Sequence, residues 1–254
     1  MTETLGLSGA ELALTAAVVF AAGVVRGYTG FGFSALLVAT LGLAQPLALI
    51  VPLTMLLEIA ASAFMMRAVW KHIDWRWLTR LLAGIVIATP LGIAALRYAP
   101  PEALKVVVSL AILLCCFAIW RNWKPPWSGG GITQFVTGIV AGVANGAAAI
   151  GGLPIIAILL ATGIASATIR ATVSALIFLM DVLGIGLGLA QGLVLYSTLL
   201  LALLMLPPML LGVALGSRQF VGTSEAAFKQ RTLVLLMLLA VAGLLRAIWL
   251  VRLE

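Results

Sequence analysis

Charge is the scarcest commodity in this sequence. Asp, Glu, Lys and Arg together make up 9% of its 254 residues, against about 25% in soluble domains. With 63% of residues hydrophobic, a soluble globular surface is excluded. Histidine occurs once, as His72, and the two cysteines, Cys115 and Cys116, are neighbours in an apolar run. Adjacent cysteines do not easily bridge each other and have no His or Cys partner nearby, so they read as packing residues without redox meaning. His72 stands beside Trp70 and Lys71 in a basic loop and reads as a solvated side chain. No metal cluster, phosphate loop or nucleophile with a base is found, so neither an enzyme nor a cofactor is expected. Acidic residues are outnumbered 8 to 15 by Lys and Arg, for a net charge of +7. No soluble basic run could hold a duplex or single strand, which excludes nucleic acid as a partner. The excess instead marks the cytoplasmic side of a membrane protein.

The apolar residues come in long blocks, not in the alternating ten-residue pattern of an outer-membrane barrel. Spanning elements must then be helices, and the fold class is all-α, polytopic, with the lipid bilayer as a partner. Ten apolar segments can be drawn: 12–25, 31–43, 47–66, 78–96 and 103–120, then 132–144, 150–161, 171–190, 193–215 and 226–245. The start, Met-Thr-Glu-Thr-Leu-Gly, lacks a basic n-region and does not read as a cleaved signal peptide.

The run Arg121-Asn-Trp-Lys-Pro-Pro-Trp-Ser-Gly-Gly-Gly131 is polar and rich in breakers. It places a linker at 123–131 between a first membrane repeat, 1–122, and a second, 132–254, within one integral membrane domain. Gly23, Gly27 and Gly32 recur as Gly142, Gly146 and Gly151 at an offset of 119. Glu102-Ala-Leu-Lys105 reappears as Glu225-Ala-Ala-Phe-Lys229, opening the last helix of each half.

A spanning helix needs about 20 residues to cross about 30 Å of hydrocarbon. The first two segments of each half are shorter, so each pair is expected to form a hairpin of half-length helices dipping to mid-membrane, its glycines at the tip. Three spanning helices would follow in each half, and an odd number of crossings inverts the second repeat. Charge supports this parity. Arg67, Lys71, Arg76 and Arg80 crowd the loop between the third and fourth segments, whereas the equivalent loop, 186–193, has no charge. Arg170 and the 218–231 region supply the positive loops of the second half, and six of seven tryptophans (Trp70, Trp75, Trp77, Trp120, Trp123 and Trp127) fall at two expected cytoplasmic boundaries. The expected location is the cytoplasmic (inner) membrane, multi-pass, with both termini outside.

The stretch Gly23-Val-Val-Arg-Gly-Tyr-Thr-Gly-Phe-Gly-Phe33 puts a full charge inside this apolar chain. A half-helix whose N-terminus stops in the membrane offers unpaired amides and the positive end of its dipole. Gly27, Gly30 and Gly32, with Gly146, Gly151 and Gly152 in the second half, would let a ligand approach the backbone. Tyr28 and Thr29 add hydroxyls, and Arg26 adds a planar fork suited to the oxygens of a sulfonate or carboxylate. Asn145 takes the Arg26 position in the second half. These ten residues form the expected substrate site, for a small anion. The plainer alternatives are glycines that serve helix packing, foremost Gly23 and Gly142, and an arginine that snorkels to an interface. Glu58 and Asp181 lie near the middle of the third segment of their halves. Each is a candidate for proton coupling, for a counter-ion to Arg26, or for holding helices together. Glu11 is nearer a helix end and reads as interfacial.

The paired tips, Gly27-Tyr-Thr-Gly-Phe-Gly-Phe33 and Gly146-Ala-Ala-Ala-Ile-Gly-Gly-Leu-Pro154, resemble those of the TauE/SafE family of sulfite exporters and related anion permeases. The resemblance covers essentially the whole chain. It implies a secondary transporter for sulfite, for sulfonates such as taurine-derived or sulfoacetate-like anions, or for another small oxyanion, by a proton-linked or electrogenic route and with export as the expected direction. A permease for a carboxylate or a metal ion is the runner-up, disfavoured for a metal because the tips offer a cation and neutral groups. An intramembrane enzyme, with Glu58 and Asp181 as its polar pair, or a lipid-handling scaffold is the alternative from another class. A homodimer is left open.

Overall fold

The computed structural model describes residues 8–121 and 130–224, with positions 227, 228, 230, 231 and 234 of the last segment. Trp123, Trp127, Glu225, Lys229 and most of segment 226–245 lie outside the described residues. Every regular element described is helical: α1 (Gly9–Thr29), α2 (Phe33–Ala44), α3 (Leu47–Val69), α4 (Trp75–Tyr98), α5 (Pro101–Trp120), α6 (Gly131–Ala148), α7 (Gly152–Ala161), α8 (Ser166–Ala190) and α9 (Tyr196–Phe220). A 3-10 turn, Trp70–His72, joins α3 to α4. Six of these helices are long and apolar enough to cross a membrane: α1, α3, α4, α6, α8 and α9.

This corrects one expectation. The first segment of each half is not half-length: α1 has 21 residues and α6 has 18. The apolar run underestimated α1 at both ends. Ser8 and Glu11 form a reciprocal capping box that starts the helix early, which fits the terminal place expected of Glu11. At the other end Arg26 to Thr29 are polar or small yet stay helical, until Gly30 at φ 84° stops the helix. The second segments are short as expected, with 12 residues in α2 and 10 in α7.

The pair α1 and α2 does double back. Leu41 and Gln45, at the end of α2, share a cleft of about 70 Å³ with Glu11, Leu14 and Thr15 at the start of α1. In the second half the turn between α6 and α7 has Ala149 at φ 57°, at the offset of 119 from Gly30. Alanine in this left-handed region costs about 1–2 kcal/mol that glycine avoids.

The closest helix contacts cross between the halves. Phe20, Gly23, Val24 and Gly27 of α1 meet Gly212, Val213, Gly216 and Ser217 of α9, backbone against backbone, with both sets of numbers rising together. The two helices therefore run parallel. Gly84 and Gly92 of α4 meet Gly138, Ile139, Gly146 and Ala147 of α6 in the same parallel sense. Small residues let membrane helices approach this closely, so Gly27 and Gly146, expected at the tips, sit with Gly23 and Gly142 in packing seams. Between the two pairs, α3 packs against α8. The outside of the bundle is apolar, as at Ile87, Leu91, Leu114, Leu203 and Leu211, whereas Arg26, Glu58 and Asp181 are buried inside it.

Candidate functional site

The buried polar groups converge from four helices. Arg26, near the end of α1, donates from Nη2 to Ser62 Oγ of α3 at 2.6 Å. Its Nε lies 3.8 Å from Glu58 Oε1, one turn earlier on α3. On the other side Asn145 of α6 donates from Nδ2 to Asp181 Oδ1 of α8 at 2.9 Å. The carboxyls of Glu58 and Asp181 are neighbours, and Ser34, in the first turn of α2, faces Glu58 with its amide and hydroxyl. Arg26 and Asp181 are 0% exposed, and Glu58 and Asn145 are 1% exposed.

The two turns close on this cluster. Gly30 and Gly32 take φ of 84° and 88°, a backbone that only glycine adopts without strain. A Cβ on Gly151 would come within 2.8 Å of Asn145 Cβ, and one on Gly152 within 3.7 Å of Phe31 Cβ, so the second turn abuts both Asn145 and the first turn. The amide ends of α2 and α7 thus border the same polar interior.

Hydrogen-bond accounting singles the cluster out. Among the described residues, eight buried side-chain polar atoms have no hydrogen-bond partner. Six of them are Arg26 Nε and Nη1, both Glu58 oxygens, Asn145 Oδ1 and Asp181 Oδ2. Leaving such an atom unpaired costs about 1–3 kcal/mol. Native interiors avoid that cost almost everywhere, so six exceptions grouped at one point call for a structural or functional reason.

Of the residues expected at the site, Arg26, Asn145, Glu58 and Asp181 come together, with Gly30, Gly32, Gly151 and Gly152 in the bordering turns. Four others are placed elsewhere, among them Gly146, which packs on α4. The Thr29 hydroxyl is taken up by its own turn, with Val25 O and Phe31 O both within reach of its single hydrogen, and it accepts from Phe31 N at 3.2 Å. Tyr28 packs on Phe220 and Phe228, and its hydroxyl accepts from Arg231 at 3.4 Å. It lines a separate cavity of about 480 Å³ with Val24, Val25, Thr29, Gln219 and Arg231. Gly27 packs on α9, and its carbonyl is bound by Arg170.

Sequence reasoning missed Ser34, Ser62 and Arg170. A signal for Ser62 existed: Arg26 to Ser62 and Asn145 to Asp181 are both separated by 36 residues. Ser62 therefore takes the Asp181 position of the first half. Arg170 was read only as a loop charge. It donates to Gly27 O from Nη2 at 2.6 Å and Nε at 3.2 Å, reaches Ser217 Oγ at 3.0 Å, and stacks over Phe220 at 4.5 Å. A cation on the closing carbonyls of α1 is favourable. Arg170→Met is expected to lower the unfolding free energy by about 1.5–3 kcal/mol, the worth of a hydrogen bond to a charged group. A melting curve in detergent unchanged from that of the wild type would refute this role.

A search of curated proteins and one of solved structures each returned no match. The family model described as sulfite exporter TauE/SafE matches residues 15–243, a span that contains both turns and every member of the buried polar cluster. A polytopic helical membrane protein with that match over most of its length belongs to the sulfite exporter TauE/SafE family, and is a membrane transporter.

Proposed function

We propose that the protein is a secondary transporter that moves small sulfur oxyanions or organosulfonates, such as sulfite, taurine-derived or sulfoacetate-like anions, out of the cell by alternating access, linked to protons. The observation that carries this reading is the group of six unpartnered polar atoms on Arg26, Glu58, Asn145 and Asp181. Arg26 keeps two donor nitrogens for an anion, and the adjoining amide ends of α2 and α7 favour negative charge. Gly30 and Gly32 permit the left-handed turn ahead of α2, Gly151 and Gly152 let the second turn close on Asn145 and Phe31, and Asn145 and the carboxyls complete the cluster.

Inverted repeats suit the same reading. The reciprocal pairing of α1 with α9 and of α6 with α4, and the equal spacing of the two cross-helix hydrogen bonds, are what a pseudo-two-fold relation would give. With the basic loop after α3 on the cytoplasmic side of the inner membrane, both termini face outward. The hairpins of α1 with α2 and of α6 with α7 then enter from opposite sides, and the site lies between their turns.

The test is uptake by proteoliposomes of labelled sulfite, taurine, sulfoacetate and a dicarboxylate, with and without a pH gradient. Saturable movement of the sulfur anions, faster with a gradient, is expected. Movement of the dicarboxylate alone would reassign the substrate, and movement of none would end the anion reading.

A further inference from the structure

Glu58 stands between two partners of opposite demand. Arg26 Nε is 3.8 Å from its Oε1 on one side, and the Asp181 carboxyl is its neighbour on the other. Of the six unpartnered atoms, two are donors on Arg26 and four are acceptor oxygens on Glu58, Asn145 and Asp181. An anion can take the donors, but it brings more acceptors and offers nothing to the four oxygens, of which only those of Glu58 have donors, from Ser34, turned toward them. A hydrogen shared between the two adjacent carboxyls would satisfy that side of the cluster.

We infer that anion binding and proton uptake are a single event, in which Glu58 exchanges its partner. In the unloaded pocket Glu58 is paired with Arg26. An arriving anion claims the guanidinium, and Glu58, deprived of its cation beside Asp181, takes one proton from the medium and holds it between the two carboxyls. On the other side of the membrane the anion leaves, Arg26 recaptures Glu58, and the proton returns to water. One monovalent anion and one proton add no net charge to the pocket, so the loaded and unloaded carriers cross at equal electrostatic cost. The charged groups facing Glu58 are Arg26 from α1 and Asp181 from α8, and α2 presents Ser34. Asn145 of α6 faces Asp181, and among the described residues no titratable group of α4 or α9 acts on either acid.

This inference rests on the anion reading, and calorimetry of the purified full chain separates the two. Methanesulfonate, which does not titrate near neutrality, is bound in buffers of different ionisation enthalpy, whose comparison yields the protons taken up. About one proton per anion is expected, with affinity rising up to about tenfold for each unit of pH lowered, as reciprocal linkage requires. Glu58→Gln, which imitates the protonated acid, is expected to bind at every pH as tightly as the wild type does at low pH, and to exchange anions without accumulating them in response to a pH gradient. Asp181→Asn provides the same comparison from the other carboxyl. Binding without proton uptake in the wild type overturns the exchange of partners while leaving the anion site standing, and no binding of methanesulfonate or sulfoacetate removes both.

Discussion

Arg26→Met is expected to bring anion transport down to the leak of empty vesicles, a fall of about 100-fold or more. The guanidinium is fully buried, hydrogen-bonded to Ser62 and paired with Glu58, so the substitution removes both the donors proposed for the anion and, among the described residues, the only cation beside that carboxyl. Breaking one side of a buried pair costs about 3–5 kcal/mol, because a charge is left uncompensated. Part of the loss is therefore structural, and a second variant separates it. Arg26→Met with Glu58→Gln removes both members, and its melting temperature is expected to recover toward that of the wild type while transport stays absent. Arg26→Lys retains the charge but not the planar donors, and a rate below about a tenth of the wild type is expected from it. If Arg26→Met moves sulfite within a few-fold of the normal rate, the arginine is a structural residue and the anion is held elsewhere.

Gly216→Leu is expected to prevent the protein from folding. An added Cβ at Gly216 would overlap the carbonyl oxygen of Val24 and approach Tyr28 N to 2.9 Å, both backbone atoms that no rotamer change can move. Overlap of this kind belongs to the rare class of substitutions costing more than about 4–5 kcal/mol. Gly138→Leu, whose Cβ would strike the Leu81 carbonyl, is the counterpart in the other parallel pair. Gly186 has no heavy atom within 4 Å of its added Cβ and serves as the control. Size-exclusion chromatography in detergent should give a monodisperse peak for Gly186→Leu and aggregate for the other two. A normal peak from Gly216→Leu would show that α1 and α9 are farther apart than described.

The sequence disclosed the large elements because hydropathy alone sets them. Segments 47–66 and 171–190 match α3 and α8 to within a few residues. It disclosed less where a helix continues through polar residues. Arg26, Tyr28 and Thr29 looked like a break because membrane helices seldom hold such side chains, yet the Thr29 hydroxyl, donating to Val25 O, satisfies itself within the turn. Glu58 and Asp181 were legible as polar residues deep in apolar runs, and Arg26 and Asn145 as polar residues just past the end of one. Tyr28 was misleading, because two residues along a helix turns a side chain to the opposite face. Arg170 was not legible at all. Its partners are the Gly27 carbonyl, 143 residues away, and Ser217, and nothing in local spacing announces a guanidinium that closes another helix.

The parallel seams also bear on how such a carrier is divided mechanically. The tightest unions join α1 to α9 and α4 to α6, so each stiff pair draws one arm from either side of the linker. Arg26 belongs to one of these composite struts and Asn145 to the other, with α3 and α8 as the axle between them. In the alternating access proposed above, the rocking pieces would be not the stretches before and after the linker but two braids made from both, and tilting them against each other would part the arginine from the asparagine.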